Sequence, residues 1–520
     1  ALHAGAVPVT VYSTLSPTQV AWYARKVRPK VVVLEGATEL ERWAEALADP
    51  ELGDLSVVVV DEGSGGALRW SELVDRGRAR RTASPAELAG RAAEVRPEDP
   101  ATILFTSGTT GDPKGVVLTH TNVLYEVVSA DRANALEGEA ITLSYLPLAH
   151  IAERVLGLYF PQVHGGHVHL VGDLGSLVTE LSAVRPTRFF GVPRVWEKIM
   201  TGVSARLAAE PDEARRQAVS DAMAVGRRWV EAQQAGGEVP ADLAEQYAAA
   251  DATVLTPLRS LLGLDRAEWT VSAAAPMPAE VASFFAGLGL KMLDVYGMTE
   301  TTAAICAGRN SDFKLNTVGR PYPGIEIRIA DDGEILARGP VLTPGYLDNA
   351  AATAKLIDAD GWVHTGDIGY YDDDGFLRVV DRKSEMIINT YGKNIAPSVI
   401  EGHLKESPLV GHAMVVGEGR PYLVALLTLD PEVAPAVAAA LGVTGSLADL
   451  AASPVVLETV QEAVDAANAL VSRPEQVKRF ALLPGEWTAE TLELTPTLKL
   501  KRRVISSTYA EAIEKLYATP

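Results

Sequence analysis

At 520 residues, with 47% hydrophobic and 22% charged side chains, the chain is too long for one ordinary core and reads as two or more globular domains. A formal net charge of −20 argues against nucleic acid or an anionic membrane as its main partner. Cys306 is the single cysteine, which excludes an intrachain disulfide and a cysteine-built metal site and suits a reducing cytoplasm. No run of about 18 apolar residues marks a membrane-crossing helix.

Ala1 to Val9 reads as the end of a helix entering a strand. Pro17 to Val27 reads as a helix, Val31 to Leu34 as a buried strand, Leu40 to Ala48 as a helix and Leu55 to Val60 as a strand. Strands alternating with helices imply an α/β fold with parallel sheets. Two apolar runs, Ile103–Phe105 and Val116–Leu118, then bracket Thr106-Ser107-Gly108-Thr109-Thr110-Gly111-Asp112-Pro113-Lys114-Gly115. Glycines let such a loop turn tightly and expose its N–H groups, hydroxyls add donors, and Lys114 adds a mobile positive charge. That mixture suits a polyphosphate, although it does not match the G-x-x-x-x-G-K-[ST] loop that opens a helix. Taken without its neighbours, the same loop is a Gly/Thr/Ser hairpin.

Thr119 to Asn122 supplies cap residues for a helix reaching about Ala135, followed by a strand from Ile141 to Leu146. His150, just beyond, reads equally as a helix-start residue or a site residue. Arg188 to Trp196 is a strand running into a turn, and 203–252 is a solvated helical stretch interrupted at Gly236, Gly237 and Pro240. The small residues Ser272, Ala273, Ala274, Ala275 and Pro276 follow another strand and let a flat ring approach the backbone. In Tyr296-Gly297-Met298-Thr299-Glu300, Tyr296 can stack on a base and Thr299 can donate to a phosphate oxygen. Glu300 can hold Mg²⁺, which favours one carboxylate plus phosphate oxygens and waters. Asp367, expected at a strand end, can accept two ribose hydroxyls, and Arg382 carries a planar fork suited to ribose or phosphate oxygens. Each is otherwise an ordinary turn residue. A second, smaller domain starts near residue 384, with strands at Met386–Ile388, His412–Val416 and Leu423–Leu429.

The loop 106–115, the segment 296–300, Asp367, Arg382 and the run Leu494 to Arg503 occur in the order found in the adenylate-forming superfamily, and the chain resembles its bacterial long-chain acyl-CoA synthetases. The resemblance implies a large α/β domain over 1–383 with a small β subdomain, a mobile α+β domain over 384–520, and a truncated start. It implies ATP, Mg²⁺ and coenzyme A as reactants. A medium- or long-chain fatty acid becomes acyl-AMP and then a thioester, with Lys499, Glu300, Thr299 and Lys114 catalytic. Thr106, Ser107, Gly108, Thr109, Thr110, Gly111, Lys114, Ala274, Ala275, Pro276, Tyr296, Gly297, Thr299, Asp367, Arg382 and Lys499 are then the ATP contacts. His150 gates the acyl site, whose walls are expected at Phe189, Phe190, Gly191, Val192, Gly297 and Met298. Gly392 and Lys393 lie along the pantetheine tunnel.

Two positions depart from the family pattern: Leu498 replaces the glycine before the C-terminal lysine, and Ser384 stands at the hinge where Asp or Lys is more usual. Lys501, two residues on, is the competing lysine and fits the register less well. The alternative is an acyl-AMP former that passes a bulky or secondary-metabolite acid to an acyl carrier protein or acceptor enzyme. A luciferase-type oxidase would start from the same adenylate, and a non-catalytic nucleotide binder would be expected to lack Lys499 or Glu300. The setting implied is cytoplasmic, peripheral to a membrane at most.

Overall fold

The computed structural model describes residues 1–61, 67–106, 113–134, 138–488, 490–495 and 499–518. The helix Pro17–Val27 has the expected bounds because Ser16 caps it. The Ser16 hydroxyl accepts from the Gln19 N–H, while the Gln19 side chain accepts from the Ser16 N–H. Val31–Leu34, Ser56–Val59 and Leu68–Arg69 form the expected parallel sheet. The helix expected from Leu40 to Ala48 is two pieces, Ala37–Arg42 and Ala44–Leu47, interrupted at Trp43, which is buried in the core with Val20 and Tyr23. The strand expected at the N-terminus is one parallel bridge, Val9 to Ile103.

Pro100–Thr106 and Lys114–Thr119 pair antiparallel, and Gly345–Tyr346 adds to the far edge of the second strand. The segment 107–112 between them, which holds five of the expected phosphate contacts, lies outside the described residues. Thr119 caps the helix His120–Ala133, whose capping box closes through Asn122.

The central sheet places Arg188–Phe190, Trp269–Ser272 and Met292–Met298 parallel, then Ala303–Ala307 and Arg320–Pro321 antiparallel. Strand residues alternate between faces. Phe189 therefore turns into a core with Trp196 and Phe285, where ring centroids lie 5.1 Å and 4.9 Å apart in edge-to-face contacts. The buried Trp196 Nε1–H donates to the Gly191 carbonyl at 2.9 Å, so its polar edge is satisfied.

A four-stranded antiparallel sheet follows: Glu326–Ile329, Glu334–Arg338, Val363–Tyr371 and Leu377–Arg382. The C-terminal sheet pairs Val410–Val416 with Leu423–Leu429 antiparallel and the latter with Val477–Leu483 parallel. All seven residues of Leu423–Leu429 are buried, because both faces of that central strand are covered.

The C-terminal part meets the rest through polar contacts. The Ser398 N–H donates to Asp381 Oδ2 at 2.9 Å, so a carboxylate of the large sheet region receives the start of the helix Pro397–Leu404. Arg194 pairs with Asp430, Lys198 with Glu432 at 2.8 Å, and Lys405 with Glu197 at 3.7 Å.

Truncating Trp196 to alanine should cost about 3–5 kcal/mol, the range for an aromatic removed from a closed core. Guanidinium denaturation checks this as a shift of midpoint with unchanged slope.

Candidate active site

A cavity of about 1330 Å³ lies between the central sheet, the helix His120–Ala133, the helical stretch from Ile151 to His164, the antiparallel sheet and the C-terminal part. One arm gathers the polar residues expected from the sequence. Tyr296 ends near the bend of its strand, where Gly297 passes so close to its neighbour that a Cβ would stand 1.6 Å from the Ala303 carbonyl. The Tyr296 hydroxyl donates to Asp367 Oδ2 at 2.7 Å, and Arg382 Nε pairs with Asp367 Oδ1 at 2.8 Å. Burial pushes the Asp367 carboxyl up, while Arg382, Tyr296 and Lys499 pull it back. Asp367 does not end a strand. It sits within Val363–Tyr371 opposite Arg382, beside a register shift, and Gly366 before it has φ +72°. The turn reading fails because backbone pairing continues through it.

Glu300 lies in the single turn Thr299–Thr301 and is buried. Its Oε1 accepts from the Tyr346 hydroxyl at 2.8 Å, and Lys114 Nζ stands 5.0 Å from the Tyr346 ring centroid. Tyr346 was not legible as a site residue. Only its pairing with Val116, far away in sequence, brings it to the loop strand. Thr106, Ala274, Ala275, Pro276 and Thr299 also line the cavity. Ala274 takes φ +75°, a left-handed conformation that costs a non-glycine residue energy.

Lys499 enters from the C-terminal part. Its ammonium is water-accessible because it projects into the cavity, yet surrounding protein lowers its pKa. Burial is the largest cause and Arg382 the next, opposed by Asp367, Glu300 and Glu385. Among the described residues the ammonium has no hydrogen bond or ion pair. Its segment is tied by the Thr495 N–H to the Lys499 carbonyl at 2.8 Å and by the Lys499 N–H to Thr495 Oγ1 at 3.0 Å. Three residues on, Arg502 is clamped: both terminal nitrogens bond Glu401 at 2.7 Å and Nε bonds Glu385 at 3.0 Å. Lys501 does not line the cavity.

His150 carries both of its readings. Its Nδ1 accepts from the Ala152 N–H at 3.3 Å as a helix cap, and the ring lines the cavity. Burial and the nearby Lys499 pull its pKa down to about 4, so it is neutral at pH 7. Phe190, Gly297 and Met298 line the second, apolar arm. Three expected wall residues do not. Phe189 faces the opposite core, Gly191 is pressed against Trp196, where a Cβ would meet Nε1 at 2.7 Å, and Val192 caps the following helix. Gly392 and Lys393 do not reach the cavity either. Gly392 occupies a turn at φ +75°, and Lys393 Nζ contacts Ser472 at 3.0 Å and Glu475 at 3.5 Å. Ser384, in the turn after Arg382, lines the cavity. Asp294 also lines it, and its side chain makes no hydrogen bond or ion pair with a described residue; burial raises its pKa to about 7. Nothing local in the sequence separates that aspartate from a strand-edge residue.

The profile of the AMP-binding enzyme family matches residues 1–347, and that of the AMP-binding enzyme C-terminal domain matches 384–520. The fadD11 protein of Mycobacterium tuberculosis, provisionally named a fatty-acid–CoA ligase, is 45% identical over 82% of this chain and 75% of its own length. Long-chain-fatty-acid–CoA ligase FadD15 of the same organism is 37% identical over 99% of this chain and 84% of its own. The adenylation domain of a carboxylate reductase from Mycobacterium chelonae has a similar fold, with a TM-score of 0.72 at 21% identity, over 99% of this chain and 77% of that one.

Two predictions follow from these side chains. Replacing Arg502 by methionine strands Glu401 and Glu385 and should cost roughly 3–5 kcal/mol, measured by chemical denaturation. His150 and His412 both titrate near pH 4 when folded but near 6.5 when unfolded. The unfolded chain then binds more protons below pH 6.5, so stability falls on acidification. A His150→Gln variant should recover about 2 kcal/mol relative to wild type between pH 6.5 and 5, read as melting temperature against pH.

Proposed function

The chain belongs to the AMP-binding enzyme family, and on that footing we propose that it activates a fatty acid with ATP and transfers the acyl group to coenzyme A. The names of its relatives support this substrate pair. The observation that carries the reading is the placement of Lys499: an ammonium with no hydrogen bond or ion pair to a described residue stands in the same cavity as Glu300, Asp367 and Arg382.

In the first half-reaction, a carboxylate oxygen attacks the α-phosphorus of ATP, the bond to the β-phosphate oxygen breaks, and pyrophosphate leaves. Two anions must approach, so preorganised cations dominate the barrier. Lys499 offsets the charge developing at the α-phosphate. Lys114, Thr299 and the 106–111 loop receive the β- and γ-phosphates. Asp367, oriented by Tyr296 and Arg382, accepts the ribose hydroxyls. Tyr296 stacks on the base against Ala274–Pro276, and the Asp294 carboxyl accepts from its exocyclic amine. Glu300, steadied by Tyr346, would hold Mg²⁺ together with the phosphates. A single carboxylate fits that ion, which keeps waters and takes phosphate oxygens, and it would neutralise charge between the phosphates.

In the second half-reaction, the thiol of coenzyme A attacks the acyl carbonyl and AMP leaves. We divide the chain at Ser384, about which the C-terminal domain swings to withdraw Lys499 and bring in Gly392 and Lys393. The arrangement described above fits the first half-reaction, because Lys499 is inside the cavity and Gly392 and Lys393 are outside it. ATP and coenzyme A as substrates fit a cytoplasmic enzyme. Among the described residues no helix is long and apolar enough to cross a membrane.

Lys499→Ala should lower acid-dependent pyrophosphate release by about a hundredfold or more, the scale of one lost preorganised donor. Thioester formation from synthetic acyl-AMP and coenzyme A should change only a few-fold. Full pyrophosphate release by this variant would remove Lys499 from the mechanism.

A further inference from the structure

The apolar arm of the cavity has three walls of matching length. Along the central sheet it runs from Ala273 back to Trp269, about 13 Å at ~3.3 Å per strand residue. Opposite, it runs from Ala152 to Pro161, about 13 Å at ~1.5 Å per helical residue. The third wall is one face of the helix His120–Ala133 and its end, with Glu126, Ala130 and Asn134 four residues apart. His150 stands at the end near Lys499. A chain of roughly ten carbons, with bonds of ~1.5 Å, spans the arm.

The far end is not apolar. Arg188 begins its strand there, paired in register with Trp269, and its guanidinium lies 4.9 Å from the Phe160 ring centroid. It is half-buried, and no described residue forms a hydrogen bond or ion pair with it. Among the described residues its five donors meet no hydrogen-bond acceptor, and the apolar Phe160, Pro161 and Trp269 line the cavity beside it. Half-buried donors are met by water before a ligand binds, and a chain that displaces that water must replace its hydrogen bonds or leave the donors unmet at a cost. Neighbouring Asn134 is already engaged: its Nδ2 donates to the Gly308 carbonyl at 3.0 Å and its Oδ1 accepts from the Asn310 N–H at 2.9 Å.

We propose that Arg188 recognises an oxygen acceptor at the end of the acid remote from its carboxylate, so that the preferred substrates are chains bearing a terminal hydroxyl or ketone. The inference rests on the ligase reading above. The charge around Arg188 selects a neutral oxygen: Asp131 and Glu268 both act on the guanidinium, and two carboxylates against one cation repel a third. A plain alkyl end would instead desolvate the guanidinium and give nothing in return.

The test compares pyrophosphate release with decanoic acid, the same chain with a terminal hydroxyl or a penultimate ketone, and decanedioic acid. The wild type should favour the hydroxy and keto acids over decanoic acid by roughly tenfold or more in kcat/KM, the scale of a hydrogen bond to a charged group. Decanedioic acid should rank below both. Arg188→Met should remove the preference and raise activity on decanoic acid, while Arg188→Gln, which keeps donors, should retain part of it. Melting temperatures check that both variants fold, and calorimetric binding of the keto acid without ATP gives a second readout that Arg188→Met should weaken. Equal use of plain and oxygenated chains by the wild type, or a preference that survives Arg188→Met, overturns the inference and leaves the ligase reading standing. Absence of pyrophosphate release with every acid overturns both.

Discussion

Keeping an ammonium in a cavity without an ion pair to any described residue is unfavourable, and Lys499 is kept so here. Burial and Arg382 both work against the charge, and Asp367, Glu300 and Glu385 support it without pairing with it. The lysine stays in place because its surroundings are fixed where it is not. Arg502, three residues away, uses all three guanidinium nitrogens on Glu401 and Glu385. Glu401 also accepts from the Val415 N–H at 2.7 Å, so one carboxylate joins the lysine-bearing segment, the helix Pro397–Leu404 and the C-terminal sheet. The rigidity lies in the anchor and the reactivity in its neighbour.

The contacts between the two parts of the chain have a different character. Lys198 and Glu432 are largely exposed, and exposed ion pairs contribute about 0–1 kcal/mol each. Arg194 meets a more deeply buried Asp430, whose carboxyl burial raises and Arg194 pulls down to a net value below the ordinary range. An interface of a few polar pairs, with no apolar core of its own among the clusters of buried residues, holds one orientation without locking it. That is the requirement of the proposed two-step reaction, in which the same C-terminal domain must supply Lys499 and then take it away.

The sequence was most informative where chemistry and local geometry coincide. Tyr296, Glu300, Asp367 and Arg382 were each readable from a strand followed by a polar residue, and they meet in one cavity. It was least informative where a residue's neighbours are set by distant pairing. Tyr346 reaches Glu300 only because Gly345–Tyr346 pairs with Val116 and Val117. The run Arg188-Phe189-Phe190 shows a second limit. A strand sends alternate residues to opposite faces, so only one of the two phenylalanines could line the cavity, and two adjacent aromatics do not indicate which. The same alternation sends Arg188 to the face of Phe190, and a charged residue opening a strand gives no local sign that it closes a tunnel.

The chain carries a net charge of −20, yet its proposed reaction brings a carboxylate to a polyphosphate. Local cations are half of the answer, and burial supplies the rest. Glu126 lines the cavity with one oxygen bonded to the Ala304 N–H and the other without a hydrogen bond to any described residue, and burial pushes its carboxyl well above the ordinary range. Asp294, on the adjacent wall, rises to about 7 from the same cause. A low-dielectric cavity disfavours every isolated charge, whatever its sign. It therefore removes negative charge from the walls while it weakens Lys499. The two effects are not equivalent for a reaction between anions. Wall carboxyls held neutral repel nothing, whereas each arriving anion raises the pKa of the Lys499 ammonium beside it and so opposes the downward pull of burial. The site is thus least stable when empty and best matched to its charges when both substrates are bound.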